Sequence, residues 1–199
     1  MSTRTLLSMV ARLAIGAACA ISTTACGGEL LRTGRAPVYL LVERVETQPQ
    51  GGAVSGGFLL SDVRTSEGSA FNDNVIVTLR ADAKNQDVPT TPVNAVTLTR
   101  YRVDYRRTDG QSRPGLDVPY GFDGALSQTV LAGSSTGVTF EIVRHQAKFE
   151  PPLANMAGFG GLGFLSVIAD MTIYGRDQNG NEVKVNASVD IHFGDFIDK

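Results

Sequence analysis

Residues 164–193, FLSVIADMTIYGRDQNGNEVKVNASVDIHF, hold two long alternations around one polar turn. In the second, Val183, Val185, Ala187, Val189, Ile191 and Phe193 alternate with Glu182, Lys184, Asn186, Ser188, Asp190 and His192 without exception. In the first, Leu165, Val167, Ala169, Met171 and Ile173 take the odd positions. Successive side chains of a strand point to opposite faces, so a period of two marks a strand with one buried face. Between them, Arg176-Asp177-Gln178-Asn179-Gly180-Asn181 has hairpin-turn chemistry, Asn-Gly above all. The stretch predicts an antiparallel pair with its odd-numbered residues in the core.

The rest of the chain extends this pattern. Strands are predicted over 38–46, 58–63, 74–82, 96–106, 125–132 and 138–148, where β-branched and aromatic residues collect. Val75, Val77, Leu79 and Ala81 share one face. Val96 and Leu98 have the opposite parity to Tyr101, Val103 and Tyr105, which a β-bulge near Thr99–Arg100 reconciles. Phe140 and Ile142 oppose Val143 and His145 in the same way and point to a second bulge. Segments rich in Gly, Pro, Asn and Asp separate the strands, and 150–163 (EPPLANMAGFGGLG) is such a connection. No segment has a helical apolar period. The fold class expected is all-β: a single antiparallel β-sandwich of seven or eight strands, with a closed barrel as the alternative. A transmembrane barrel is disfavoured, because its strands need apolar residues facing lipid along most of their length.

Composition excludes more than it assigns. The 199-residue chain has 18 basic and 20 acidic residues, a net charge of -2. Arg4 and Arg12 lie in the first 26 residues with no acid, so the remainder is more acidic still. That argues against a nucleic-acid partner, which selects a basic face. Trp is absent, which weighs against an aromatic sugar-binding platform. Cys19 and Cys26 are the two cysteines, so the chain beyond them has no disulfide, thiolate metal site or cysteine nucleophile.

The N-terminus carries an address. Two arginines precede the apolar run Leu13–Ile21, followed by polar Ser22-Thr23-Thr24 and then Ala25-Cys26-Gly27-Gly28. Charged, apolar and small-residue zones in that order form a secretory signal. The run is too short for a membrane span, which needs about 20 apolar residues. Thr23-Thr24-Ala25-Cys26 resembles the lipobox of bacterial lipoproteins, with Thr23 where that family usually has an aliphatic residue. The resemblance implies cleavage before Cys26 and acylation of its thiol. Gly16-Ala17-Ala18-Cys19 is a second candidate box, so which cysteine is acylated stays open. Residues 1–25 then form the signal peptide, 26–36 a tether and 37–199 the β-sandwich domain. Gly27 is not the acidic residue that the family associates with inner-membrane retention, which points to the outer membrane or cell surface. The spacing of the strands and the Asp-x-x-Gly-Asn hairpin resemble immunoglobulin-like or fibronectin-type bacterial domains, without a Cys…Trp…Cys core. That resemblance implies binding or scaffolding more often than catalysis.

Candidate sites are few. Asp177 to Glu182 spaces oxygen side chains as calcium loops do, but the glycine is misplaced and the flanks are strands, which favours a turn. His145 and His192 lack partners for a triad or zinc site, and His192 should face solvent among Asp190 and Lys184. Arg100, Arg102, Arg106 and Arg107 make a basic strand face, read as solvated or edge-guarding charge. Leu153, Met156, Phe159, Leu162 and Phe164, set among glycines and prolines, are the candidate partner-binding loop; their competing role is to cap the core. No catalytic residue, cofactor or metal is assigned. The function expected is a membrane-anchored, non-catalytic binding or scaffold module of the cell envelope with an envelope protein as partner. One alternative is a hydrolase using Asp62, Asp73 or Asp123; the other is an assembly subunit that exchanges a strand.

Overall fold

The computed structural model describes residues 34–49, 52–158 and 163–196. Nine strands and no α-helix make up the described chain: β1 Val38–Gln48, β2 Ser55–Gly56, β3 Phe58–Asp62, β4 Asp73–Ala83, β5 Val96–Arg106, β6 Phe122–Val130, β7 Ser135–Val143, β8 Phe164–Asp177 and β9 Glu182–Gly194. They form two sheets, β2-β1-β4-β7 and β3-β9-β8-β5-β6. One apolar cluster draws side chains from both.

The β8–β9 hairpin follows its alternation. Leu165 pairs with Phe193, Val167 with Ile191, Met171 with Ala187 and Ile173 with Val185. Val167, Ala169, Met171, Ile173, Val189, Ile191 and Phe193 are buried. In β4, Val75, Val77, Leu79 and Ala81 are wholly buried. Removing a Leu or Ile side chain from water contributes roughly 1.5–3 kcal/mol, so these faces carry much of the stability.

Bulges keep each apolar set on the core side. In β5 the register slips between Leu98 and Arg100 against both neighbours, as the change of parity predicts. In β7 Ile142 is the extra residue, because Asp73 pairs with Val143 and Asn74 with Glu141. Phe140, Ile142 and Val143 are therefore all buried. The Tyr105 hydroxyl donates to the Ile142 carbonyl at 2.6 Å, satisfying a group that the bulge removes from the ladder. A third bulge, at Glu43 of β1, is one the alternation did not announce.

Three expectations are corrected. The sheets are not wholly antiparallel: β3 runs parallel to β9, with Phe58 opposite Asp190 and Leu60 opposite His192. The reason is a sheet switch. β2 pairs with β1 in one sheet, the chain turns at Gly57 (φ 92°), and β3 joins the other sheet. Thr47, at the end of β1, holds the corner by donating from Oγ1 to the Phe58 carbonyl at 2.7 Å. Second, the strand expected over 138–148 ends at Val143, and His145–Phe149 is a 3-10 turn. The Asn72 side-chain oxygen accepts from the His145 backbone N–H at 2.7 Å and starts that turn. Third, the strand expected over 125–132 begins three residues earlier and ends two earlier, as β6 Phe122–Val130.

Candidate functional site

The pairings give the fold two poles. Val38 lies opposite Ala83, Arg80 opposite Ser135, Val96 opposite Asp177 and Val130. The Gly133 N–H donates to the Ala81 carbonyl at 2.7 Å and ties these ends of the two sheets together. This is the proximal pole, where the chain enters the domain at Ala36–Pro37. Gln48, Asp73, Arg106, Phe122, Val143, Phe164 and Gly194 lie at the other, distal pole.

Exposed aromatic residues gather in the distal half. Phe58, Phe71, Tyr120, Phe149, Phe164 and Phe196 are all exposed there, against Tyr39 at the proximal pole. Phe58, Leu60, His192 and Phe164 form one strip on the outer face of the β3-β9-β8 region. Phe58 and Phe164 are 47% and 72% exposed. Their rings lie 5.8 Å and 6.5 Å from the His192 ring, one on each side. The Ser166 hydroxyl sits 2.8 Å from His192 Nδ1 and fixes the imidazole. The strip follows from β3's pattern. Leu59, Ser61 and Val63 turn into the core, so Phe58 and Leu60 must face out.

The candidate loop divides. Leu153 is wholly buried and Met156 packs against the core, so these two cap it. Phe164 is the most exposed large apolar side chain of the described residues. Phe159, Leu162 and the lipidation candidate Cys26 lie outside the described residues. His192 faces outward as expected, but its ring neighbours are Phe58 and Phe164. His145 is exposed, 3.1 Å from the Asn72 side-chain oxygen.

The basic strand face is neutralised. Arg102 spans Asp104 and Asp123 at 2.8 Å each, and Arg106 lies 2.6 Å from Asp170. Arg107 pairs with Asp109 at 2.5 Å. The Arg100 guanidinium reaches Asp123 at 3.3 Å and covers the Tyr174 ring at 3.6 Å. These contacts, hydrogen bonds to Asp104 first, raise the already high Arg102 pKa. Such a face offers no free row of cations to a phosphate.

The Asp177 turn is closed on itself. Oδ1 accepts from the Asn179 and Asn181 N–H groups at 2.9 and 2.8 Å, and Oδ2 from the Asn181 side chain at 2.7 Å. Among the described residues no group of three or more His, Cys, Asp or Glu side chains could hold a metal ion. The three carboxylates of the hydrolase alternative do not share a site. Asp123 belongs to the arginine face, Asp62 accepts from the Phe196 N–H at 3.0 Å, and Asp73 is wholly buried.

Asp73 belongs to a cluster that the sequence did not reveal. Ser61 Oγ donates to Asp73 Oδ2 at 2.6 Å, and Lys148 Nζ lies 2.9 Å from the same oxygen. All three residues are wholly buried. The Arg64 guanidinium closes the cluster from outside, donating to the Val63 and Lys148 carbonyls at 2.7 Å each and stacking 3.8 Å over Phe149.

No family model, no curated protein and no solved structure matches this chain.

Proposed function

We propose that the chain is an exported lipoprotein, anchored through Cys26, whose domain is a non-catalytic binding or scaffold module. The observation that carries this reading is the separation of the two poles. The tether enters at Ala36, and the exposed aromatic residues gather at the far end. An anchor at one end leaves the other free to meet a partner. Aromatic side chains bring large apolar area with few rotatable bonds, which suits such a contact. The strip of Phe58, Leu60, His192 and Phe164 is its centre.

The domain reads as immunoglobulin-like. In that fold, strands A, B and E share a sheet facing C, F and G. Here β1, β4 and β7 take the first set of places and β5, β8 and β9 the second, with β6 added beside β5. That strand order supports the reading.

Mass spectrometry of the mature N-terminus from native membranes tests the anchor. The expected product begins at Cys26 and carries acyl chains; a chain that begins at Met1, or lacks lipid, would refute it. Photo-crosslinking from Phe164 and from Asn179 in intact cells tests the binding end. A discrete adduct from the first position alone is expected, and adducts from Asn179 alone would refute the assignment.

A further inference from the structure

We propose that Lys148 and Asp73 form an intramolecular isopeptide bond, a covalent modification site in the interior of the domain. Lys148 Nζ lies 2.9 Å from Asp73 Oδ2, and the side chains of both are 0% exposed. The contact lacks the direction of a hydrogen bond, and Nζ makes none with any described residue. A buried ammonium without hydrogen bonds is an expensive arrangement, and pairing with one carboxylate rarely compensates for lost hydration. The same two groups are the complete reactant set for an amide.

The step balances with what is present. A proton passes from Nζ to the carboxylate, leaving a neutral amine facing a neutral acid, the pair with the smaller desolvation cost. The Nζ lone pair then forms a bond to Cγ. The Ser61 hydroxyl, donating to Oδ2 at 2.6 Å, stabilises negative charge on oxygen in the tetrahedral intermediate. A second amine proton joins the departing hydroxyl, the C–O bond breaks, and water leaves. No oxidant, metal or cofactor takes part. Proximity supplies the drive, since two groups held in contact react as if at very high concentration. Ser61 is a positioning residue. Strands β3 and β4 and the 3-10 turn at His145–Phe149 bring the three together, and the bond would staple the start of β4 to that turn.

This inference does not rest on the anchor or on the binding pole. Tryptic peptide mapping of the purified full chain tests it. The expected product is a branched peptide joining 65–80 to 145–176, one water lighter than the two together, uncleaved at Lys148. Recovery of 65–80, 145–148 and 149–176 as separate peptides in full yield overturns the proposal, and needs no variant. Lys148→Arg abolishes the branched species; its persistence in that variant would also overturn the assignment. Ser61→Ala lowers the linked fraction and Ser61→Thr restores it, at unchanged far-ultraviolet circular dichroism. An unchanged fraction in Ser61→Ala overturns the role given to the hydroxyl.

Discussion

Tyr105 shows how one side chain holds two elements together. It rises from β5, is buried, and donates its hydroxyl to the carbonyl of the bulged residue Ile142. Burial pushes its pKa well above the ordinary tyrosine range. A folded-state pKa above the unfolded value means that stability is whole below about pH 10 and falls as pH rises past it, because the unfolded chain alone ionises. Tyr105→Phe leaves the Ile142 carbonyl buried without its donor and is expected to cost about 1–3 kcal/mol at neutral pH, read by urea unfolding. The same variant should lose part of the stability decline above pH 10. An equal decline in both proteins would remove Tyr105 as its source. Nothing in the sequence distinguished Tyr105 from Tyr101, since both fall on the inward parity. Nor did any pattern mark Lys148, whose burial depends on a turn that Asn72 initiates from another part of the chain.

At the scale of elements, the apolar alternation and the arginine ladder make different contributions. Ile173 is wholly buried between the sheets, and Ile173→Ala should cost about 2–5 kcal/mol. Arg106 is half-exposed beside Asp170, and Arg106→Ala should cost less than about 1 kcal/mol, with the difference shrinking at high salt. Denaturant unfolding at two salt concentrations separates them; a ladder residue that rivals Ile173 would reverse this ranking. The ranking explains what could be read from the chain. β4, β5, β8 and β9 were legible because burial on one face imposes a period of two on the residues themselves. The bulges in β5 and β7 were legible as breaks in that period. The parallel β3–β9 pairing was not, because it arises from a sheet switch at Gly57 that leaves β3 only five residues long. The outward strip was hidden for a related reason: Phe58-Leu59-Leu60 is apolar on both faces, so pattern alone could not choose which face meets solvent.

The whole molecule joins two ends that need not depend on each other, and this has a measurable consequence. Residues 27–36 span at most about 35 Å when fully extended. The fourteen residues of β8 reach roughly 46 Å from pole to pole. An upright domain anchored through Cys26 thus presents Phe58 and Phe164 well beyond the bilayer surface, while the Asp177–Asn181 hairpin stays near it. Two variants should therefore dissociate placement from contact. Cys26→Ser is expected to move the chain to the soluble fraction, with an unchanged thermal midpoint and a retained crosslink from Phe164 when partner-containing membranes are added. Phe58→Ser with Phe164→Ser should remain in the membrane fraction and keep its midpoint within a few degrees, because both side chains are exposed and surface changes usually stay within about 0.5 kcal/mol. That double variant should lose partner contact, which a crosslinker placed at the neighbouring Leu60 reads. Loss of membrane association in the aromatic variant, or of contact in the cysteine variant, would show that anchor and contact are one surface. The separation of poles would then have no functional meaning.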